Sequence, residues 1–214
     1  MPRTTIWTLP TLALATLALA ALAGASCSSG ATPAASTPVP GVVQAFVVLP
    51  PERMNDFMLI DQDGRQFRLS EAGGKVRVLY FGYTSCPDIC PTTLWEWKTI
   101  KRNLGPSADD VRFIMVTVDP GIDTPEVLKR YLDLFDPAFI GLTGSTNDVG
   151  QVWDAFDVRT EVIELSGSAA GHTISHSTSM YVLDSENMLR MKIPFDEEPE
   201  DAAQDILRLL SRTS

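Results

Sequence analysis

Cysteine is scarce in this chain: three occur in 214 residues, too few for a disulfide framework, and only Cys86 and Cys90 are closely spaced. Positive charge is scarce too. The 17 Lys and Arg stand against 27 Asp and Glu, giving a net charge of −10 and a pI near 4.6. A phosphate-binding face needs concentrated Lys and Arg, so nucleic acid and anionic lipid surfaces are excluded as ligands. The expected partner is neutral, basic or metallic. Mass for a second domain is also missing. Without a leader and linker, roughly 170 residues remain, which is one ordinary domain with a sizeable core.

A long apolar run lies at the N-terminus, where Arg3 precedes IWTLPTLALATLALAALAGAS and Cys27 follows directly. Residues 1–26 therefore read as a targeting segment, and export is expected. Three fates are open for it. Cys27 after small residues has the form of a bacterial lipoprotein cleavage and lipidation site, although Gly24 stands where Leu is usual. Ala23 and Ala25 form an A-x-A pattern for ordinary cleavage, and the run is just long enough to span a bilayer uncleaved. Residues 27–41, with SSGATPAASTPVP, read as a tether rich in Pro and small residues, and residues 42–214 as the folded domain.

Within that domain the pattern alternates strands and helices. Phe57–Ile60 and Gln66–Leu69 flank Asp63-Gly64 as a hairpin. Strands are expected at Arg77–Tyr83, Arg112–Val118, FIGL, Arg159–Leu165, Thr178–Leu183 and Leu189–Ile193. Helices are expected after Pro91, over about Thr124–Phe135 and Thr146–Phe156, and at Glu200–Leu210. This order predicts an α/β fold with a central mixed sheet flanked by helices and its last strands antiparallel. A redox or metal pair at the end of the first central strand fits a thioredoxin-like fold.

That pair lies in FGYTSCPDICPTTL, where the Arg77–Tyr83 strand runs into the helix that carries Pro91 in its first turn. Both sulfurs then sit near the positive end of a helix dipole, and both thiols are expected to be more acidic than a free cysteine. Two such thiolates can share one metal ion or one disulfide, and the spacing leaves both open. A lone histidine in a strand is more often a satisfied residue than a ligand. His172, in SAAGHTISHS, reads as solvated loop, and Met180 as core packing on the strand face that also carries His176. Asp123, with Pro125 in the first turn and Glu126 three residues on, reads as a capping box. Asp119 ends a strand near the thiols, where a supporting role is open. Trp95 and Trp97 face different sides of their helix, so at least one should pack on the sheet.

Together, FGYTSCPDICPTTL, VTVDPGIDTPEVLKRYL, FIGLTGS and HSTSMYVLD resemble the Sco/SenC proteins, the copper chaperones named for synthesis of cytochrome oxidase, in family order from about Phe57 to the C-terminus. The resemblance implies copper held by Cys86, Cys90 and His176, the histidine standing five residues before Tyr181 as in the family. Two thiolates and an imidazole suit Cu(I), with Cu(II) as a second state, and leave a position open for handover, whereas structural zinc normally takes a fourth protein ligand. The family commonly has Asp before that histidine; this chain has Ser175. The implied function is a membrane-tethered chaperone on the outer face of the cytoplasmic membrane. Its partner would be the copper A subunit of cytochrome c oxidase, with a periplasmic copper donor or thiol reductant as a further one. The alternative is a thiol-disulfide oxidoreductase that reduces the copper A cysteines with Cys86 and Cys90 as its redox pair. A peroxidase is disfavoured, because CPDICP does not resemble the motif around a peroxidatic cysteine.

Overall fold

The computed structural model describes residues 45–164 and 172–212. Cys27, the leader, the whole tether and Leu165 lie outside them. In chain order the elements are β1 (Phe46–Arg53), β2 (Met58–Asp61), β3 (Gln66–Arg68), β4 (Val76–Gly82), α1 (Ile89–Leu104), β5 (Val111–Thr117), α2 (Pro125–Leu132), β6 (Ile140–Thr143) and α3 (Thr146–Ala155). They continue with β7 (Thr160–Glu164), β8 (His172–His176), β9 (Met180–Asp184), β10 (Met188–Ile193) and α4 (Pro199–Arg212).

Eight strands form one sheet in the order β1-β10-β9-β4-β5-β6-β2-β3. Its centre, β4-β5-β6, is parallel, and every other neighbouring pair is antiparallel. The sequence VRVLYFG explains why β4 is central: β-branched, leucine and aromatic side chains fill both faces, and all seven residues are buried. The α/β fold with a mixed sheet and flanking helices is thus the observed one. β7 and β8 pair only with each other, as a two-stranded ribbon apart from the sheet.

The helices dock by their apolar faces. Trp97 of α1 is wholly buried, edge-on to Tyr80 at 6.2 Å and to Phe139 at 5.2 Å, and its indole N–H donates to Met180 Sδ at 3.0 Å. Trp95 remains 55% exposed, so the two tryptophans divide between core and surface as their helical spacing requires. Met180 is core, as expected, but it opens β9 whereas His176 closes β8, so the expected shared strand face does not exist. The polar run Ser177–Ser179 breaks the strand between them.

The Asp63-Gly64 hairpin forms, with Ile60 opposite Gln66 and Gly64 at φ 76°, a left-handed conformation that glycine adopts without steric cost. β1 was not expected, because Pro50 and Pro51 interrupt its apolar pattern. It survives as an edge strand whose register with β10 shifts between Val47 and Glu52, where the prolines donate no ladder bond.

Between β10 and α4, Glu197 is buried and neither carboxylate oxygen has a hydrogen-bond partner among the described residues. Burial, with Asp205, Asp201 and Asp196 nearby, raises its pKa to about 7. The folded protein therefore holds this proton more tightly than the unfolded chain, and stability falls as pH rises from about 4.5 to about 7. Glu197→Gln should raise the urea midpoint near pH 8 by the equivalent of about 1–2 kcal/mol and leave it unchanged near pH 4. Equal midpoints for the two proteins at both pH values would show that ionised Glu197 is well solvated.

Candidate metal centre

β4 ends at Gly82, and the chain turns through Tyr83, Thr84 and Ser85 to Cys86 before α1 begins at Ile89. The helix starts two residues earlier than Pro91 suggests, which puts Cys90 inside its first turn. Cys90 is fully buried and Cys86 half-buried; both are free thiols. The backbone N–H of Cys90 donates to Cys86 Sγ at 3.4 Å, so an otherwise unpaired amide of the helix start is aimed at that sulfur. From below, Tyr80 O–H donates to Cys90 Sγ at 3.4 Å. Gly82 makes this approach possible: a Cβ there would lie 2.6 Å from Tyr80 Cε1 and 3.1 Å from Cys90 Sγ.

His176, at the end of β8, brings Nε2 to 3.8 Å from Cys90 Sγ. Its Nδ1 bonds the carbonyl of Ser177 at 2.8 Å. A carbonyl only accepts, so Nδ1 donates in this bond, and Nε2 is the ring nitrogen that faces the sulfur. The ring is held edge-on between Tyr80 and Tyr83, at 6.1 and 5.9 Å. Ser175, in the place of the family's Asp, is exposed; the Ser177 carbonyl orients the imidazole instead. Cys86 and His176 line a cavity of about 230 Å³ with Tyr83, Pro87, Asp88 and Ile89. Among the described residues no three His, Cys, Asp or Glu side chains are gathered as closely as a formed coordination sphere requires. Cys86 and His176 face the cavity, and Cys90 lies buried beside them.

The two thiols are not equally acidic. Hydrogen bonding with the Cys90 thiol lowers the Cys86 pKa to about 3 against the effect of burial, with help from His176 and the amides of Asp88 and Cys90. The same interaction, with burial added, pushes Cys90 up. The expectation of two acidified thiols is therefore corrected. One helix start supports one anion, and a second negative sulfur beside it is disfavoured by like charge and desolvation.

Asp123 is not a helix cap. Thr124 takes that place, its Oγ1 accepting Val127 N–H at 3.4 Å, so Glu126 falls one position short of a capping box. Asp123 is instead fully buried and accepts from Thr84 N–H at 3.2 Å, Thr84 O–H at 2.5 Å and Thr117 O–H at 2.6 Å. It ties the thiol loop to the end of β5. Burial pushes its carboxyl above the ordinary aspartate range, against those hydrogen bonds. His172 is likewise no solvated loop residue: it opens β8, and its Nε2 bonds Asp119 Oδ2 at 2.9 Å. Asp119 thereby has a structural role, fastening the ribbon that carries His176. Tyr80 and Tyr83 were not singled out in the sequence, although both belong to the segment that leads into Cys86.

A family model described as SCO1/SenC matches residues 49–211. The SCO2-like protein of Rickettsia felis is 38% identical over 146 residues, which are 68% of this chain and 71% of that one. Among solved structures, Bradyrhizobium japonicum ScoI with copper bound superposes with a TM-score of 0.67 at 34% identity, covering 73% of this chain and 99% of that one. A SCO1/SenC family lipoprotein from Bacillus anthracis gives a TM-score of 0.64 at 26% identity, covering 75% and 98%.

The asymmetry of the thiols has a direct chemical readout. When the reduced, metal-free protein is treated with iodoacetamide near pH 6, peptide mapping should find Cys86 alkylated and Cys90 intact. Between about pH 5 and 8 the Cys86 rate should stay nearly flat, where a free cysteine's would rise roughly several hundredfold. Equal labelling of both residues with that steep rise would remove the proposed thiolate.

Proposed function

The chain belongs to the SCO1/SenC family, and on that premise we propose that it carries one copper ion on Cys86, Cys90 and His176 and passes it to the copper A centre of cytochrome c oxidase. The observation that carries this reading is the placement of His176, whose Nδ1 is tied to the Ser177 carbonyl and whose Nε2 stands 3.8 Å from Cys90 Sγ. Two sulfurs and one nitrogen form a soft donor set suited to Cu(I), and the copper seen with Bradyrhizobium ScoI supports it. Copper is cargo here. Cys86 lines the cavity, whereas Cys90 lies buried under Tyr80. An acceptor thiolate entering through the cavity meets Cys86 first, displaces it, and releases Cys90 last.

A second reading draws on the same asymmetry. An accessible thiolate next to a buried thiol is the arrangement of a dithiol reductant: Cys86 attacks an acceptor disulfide, and Cys90 then attacks the mixed disulfide. The acceptor leaves with two thiols, and this chain keeps a Cys86–Cys90 disulfide. His176 separates the two readings, since ligation needs it and thiol exchange does not.

Anaerobic Cu(I) titration of the reduced protein should give one copper per chain, with two sulfurs and one nitrogen by X-ray absorption. His176→Ala should remove the nitrogen, weaken binding by about a hundredfold or more, and abolish oxidase assembly at limiting copper, as Cys86→Ala and Cys90→Ala should. Normal assembly with His176→Ala, combined with failure of either cysteine variant, would overturn copper delivery in favour of reduction.

We further propose that the domain works on the outer face of the cytoplasmic membrane, with residues 1–26 as leader, 27–41 as tether and 42–214 as the copper-binding domain. No helix among the described residues is long and apolar enough to cross a membrane. The Bacillus anthracis relative is a lipoprotein, and Cys27 follows the small-residue end of the leader. Mass spectrometry of the mature N-terminus should find Cys27 diacylated. A soluble chain beginning at Ser26 would remove the anchor.

A further inference from the structure

The nitrogen of the centre arrives on a ribbon that has no ladder to the main sheet, so side-chain contacts must seat it. Two sets do so. At the outer end of β8, His172 bonds Asp119 at 2.9 Å. In the middle of the strand, the phenol oxygen of Tyr83 accepts the Ile174 N–H at 3.1 Å and shares a hydrogen bond with Thr173 Oγ1 at 2.9 Å. Tyr83 is 1% exposed and Ile174 6% exposed, so the bond between them is buried, whereas the one to Thr173 is only partly so. By strand alternation Ile174 and His176 lie on the same face of β8, and the Tyr83 ring also meets the His176 ring edge-on at 5.9 Å.

We propose that Tyr83 is the positioning residue of the centre: its hydroxyl fixes how far β8 stands from the thiol loop, and thereby whether His176 reaches a metal held by Cys86 and Cys90. The proposal rests on the copper reading above. Its physical basis is the sensitivity of a ligand bond to displacement, since an imidazole moved outward by about 1 Å no longer completes the sphere, while two sulfurs three and seven residues from Tyr83 stay where they are. Removing the hydroxyl leaves the buried Ile174 N–H without its acceptor. The ribbon then regains a partner by shifting toward water, still fastened by His172 and Asp119.

Tyr83→Phe keeps the ring and its packing while deleting the oxygen. In the metal-free protein the Ile174 amide should exchange with solvent at least about tenfold faster. Cu(I) affinity, measured against a competing chelator, should fall about 10- to 100-fold, and the nitrogen should disappear from the metal's shell, as for a lost supporting partner. A merely destabilised fold would not produce the next result: in a His176→Ala background, Tyr83→Phe should cause no further loss of Cu(I) affinity. Thr173→Val, which removes only the other partner of the same hydroxyl, should shift the affinity in the same direction by less. Unchanged affinity and an intact nitrogen in Tyr83→Phe, or losses that multiply in the double variant, would overturn the proposal. Unchanged Ile174 exchange would do so without any metal present. Failure of the wild-type protein to bind Cu(I) would instead refute the copper reading, which this exchange measurement does not depend on.

Discussion

The antiparallel pairing of β4 with β9 is the constraint on which the centre depends. Leu79 stands opposite Tyr181, and the two strands run in opposite directions. The segment that leaves β4 is therefore beside the segment that enters β9, and the residues just before Tyr181 meet the residues just after Phe81. That register explains why a histidine five residues before Tyr181 reaches a cysteine eleven residues after Leu79. With β9 parallel to β4, His176 would lie at the opposite edge of the sheet. The parallel neighbour β5 performs a complementary task, ending at Thr117 beside Gly82 so that its following loop can brace the thiols.

That bracing uses buried polar groups, which cost free energy unless every one is paired. Asp123 meets the requirement with three donors, two from Thr84 and one from Thr117. Apolar contact alone would hold the loop only loosely, whereas a carboxylate with three fixed donors sets both distance and direction. Thr84 is two residues from Cys86, so this network places one sulfur, while the first turn of α1 places the other. The Asp123 network stands outside the cavity lining, whereas Ile89 of the first turn of α1 forms part of its wall.

Local pattern carried much of the fold, and the reason is visible in particular elements. VRVLYFG reads as buried strand because its side chains leave no polar face, and the Cys pair reads as a helix start because Pro91 tolerates the first turn. β1 was hidden because two prolines erase its alternation, and its pairing with β10 is supplied by residues more than a hundred positions away. Asp123 misled for a related reason: Asp followed by Pro and Glu is a helix-start signal, and nothing local reveals that Thr84 and Thr117 lie within reach. His172 was read as loop from its Gly- and Ser-rich surroundings, yet its role comes from Asp119, 53 residues earlier. Sequence context points to Cys86, Cys90 and His176, and the fold brings His176 to 3.8 Å from Cys90; the tyrosines around them act through contacts that spacing alone does not encode.

The orientation of His176 bears on the two proposed readings, delivery and reduction. A dithiol reductant gains from a cation beside its attacking sulfur, since positive charge stabilises the thiolate. Here the Nδ1 proton is committed to the Ser177 carbonyl, and the other nitrogen stands 3.8 Å from Cys90, the buried thiol. Cys86 obtains its acidity from the Cys90 thiol first of all. The imidazole is thus held in one orientation beside Cys90, while Cys86 draws its acidity first from the Cys90 thiol and only then from His176. An oriented ring suits the ligation proposed above, because a metal–nitrogen bond fails with small changes in direction that thiol exchange tolerates.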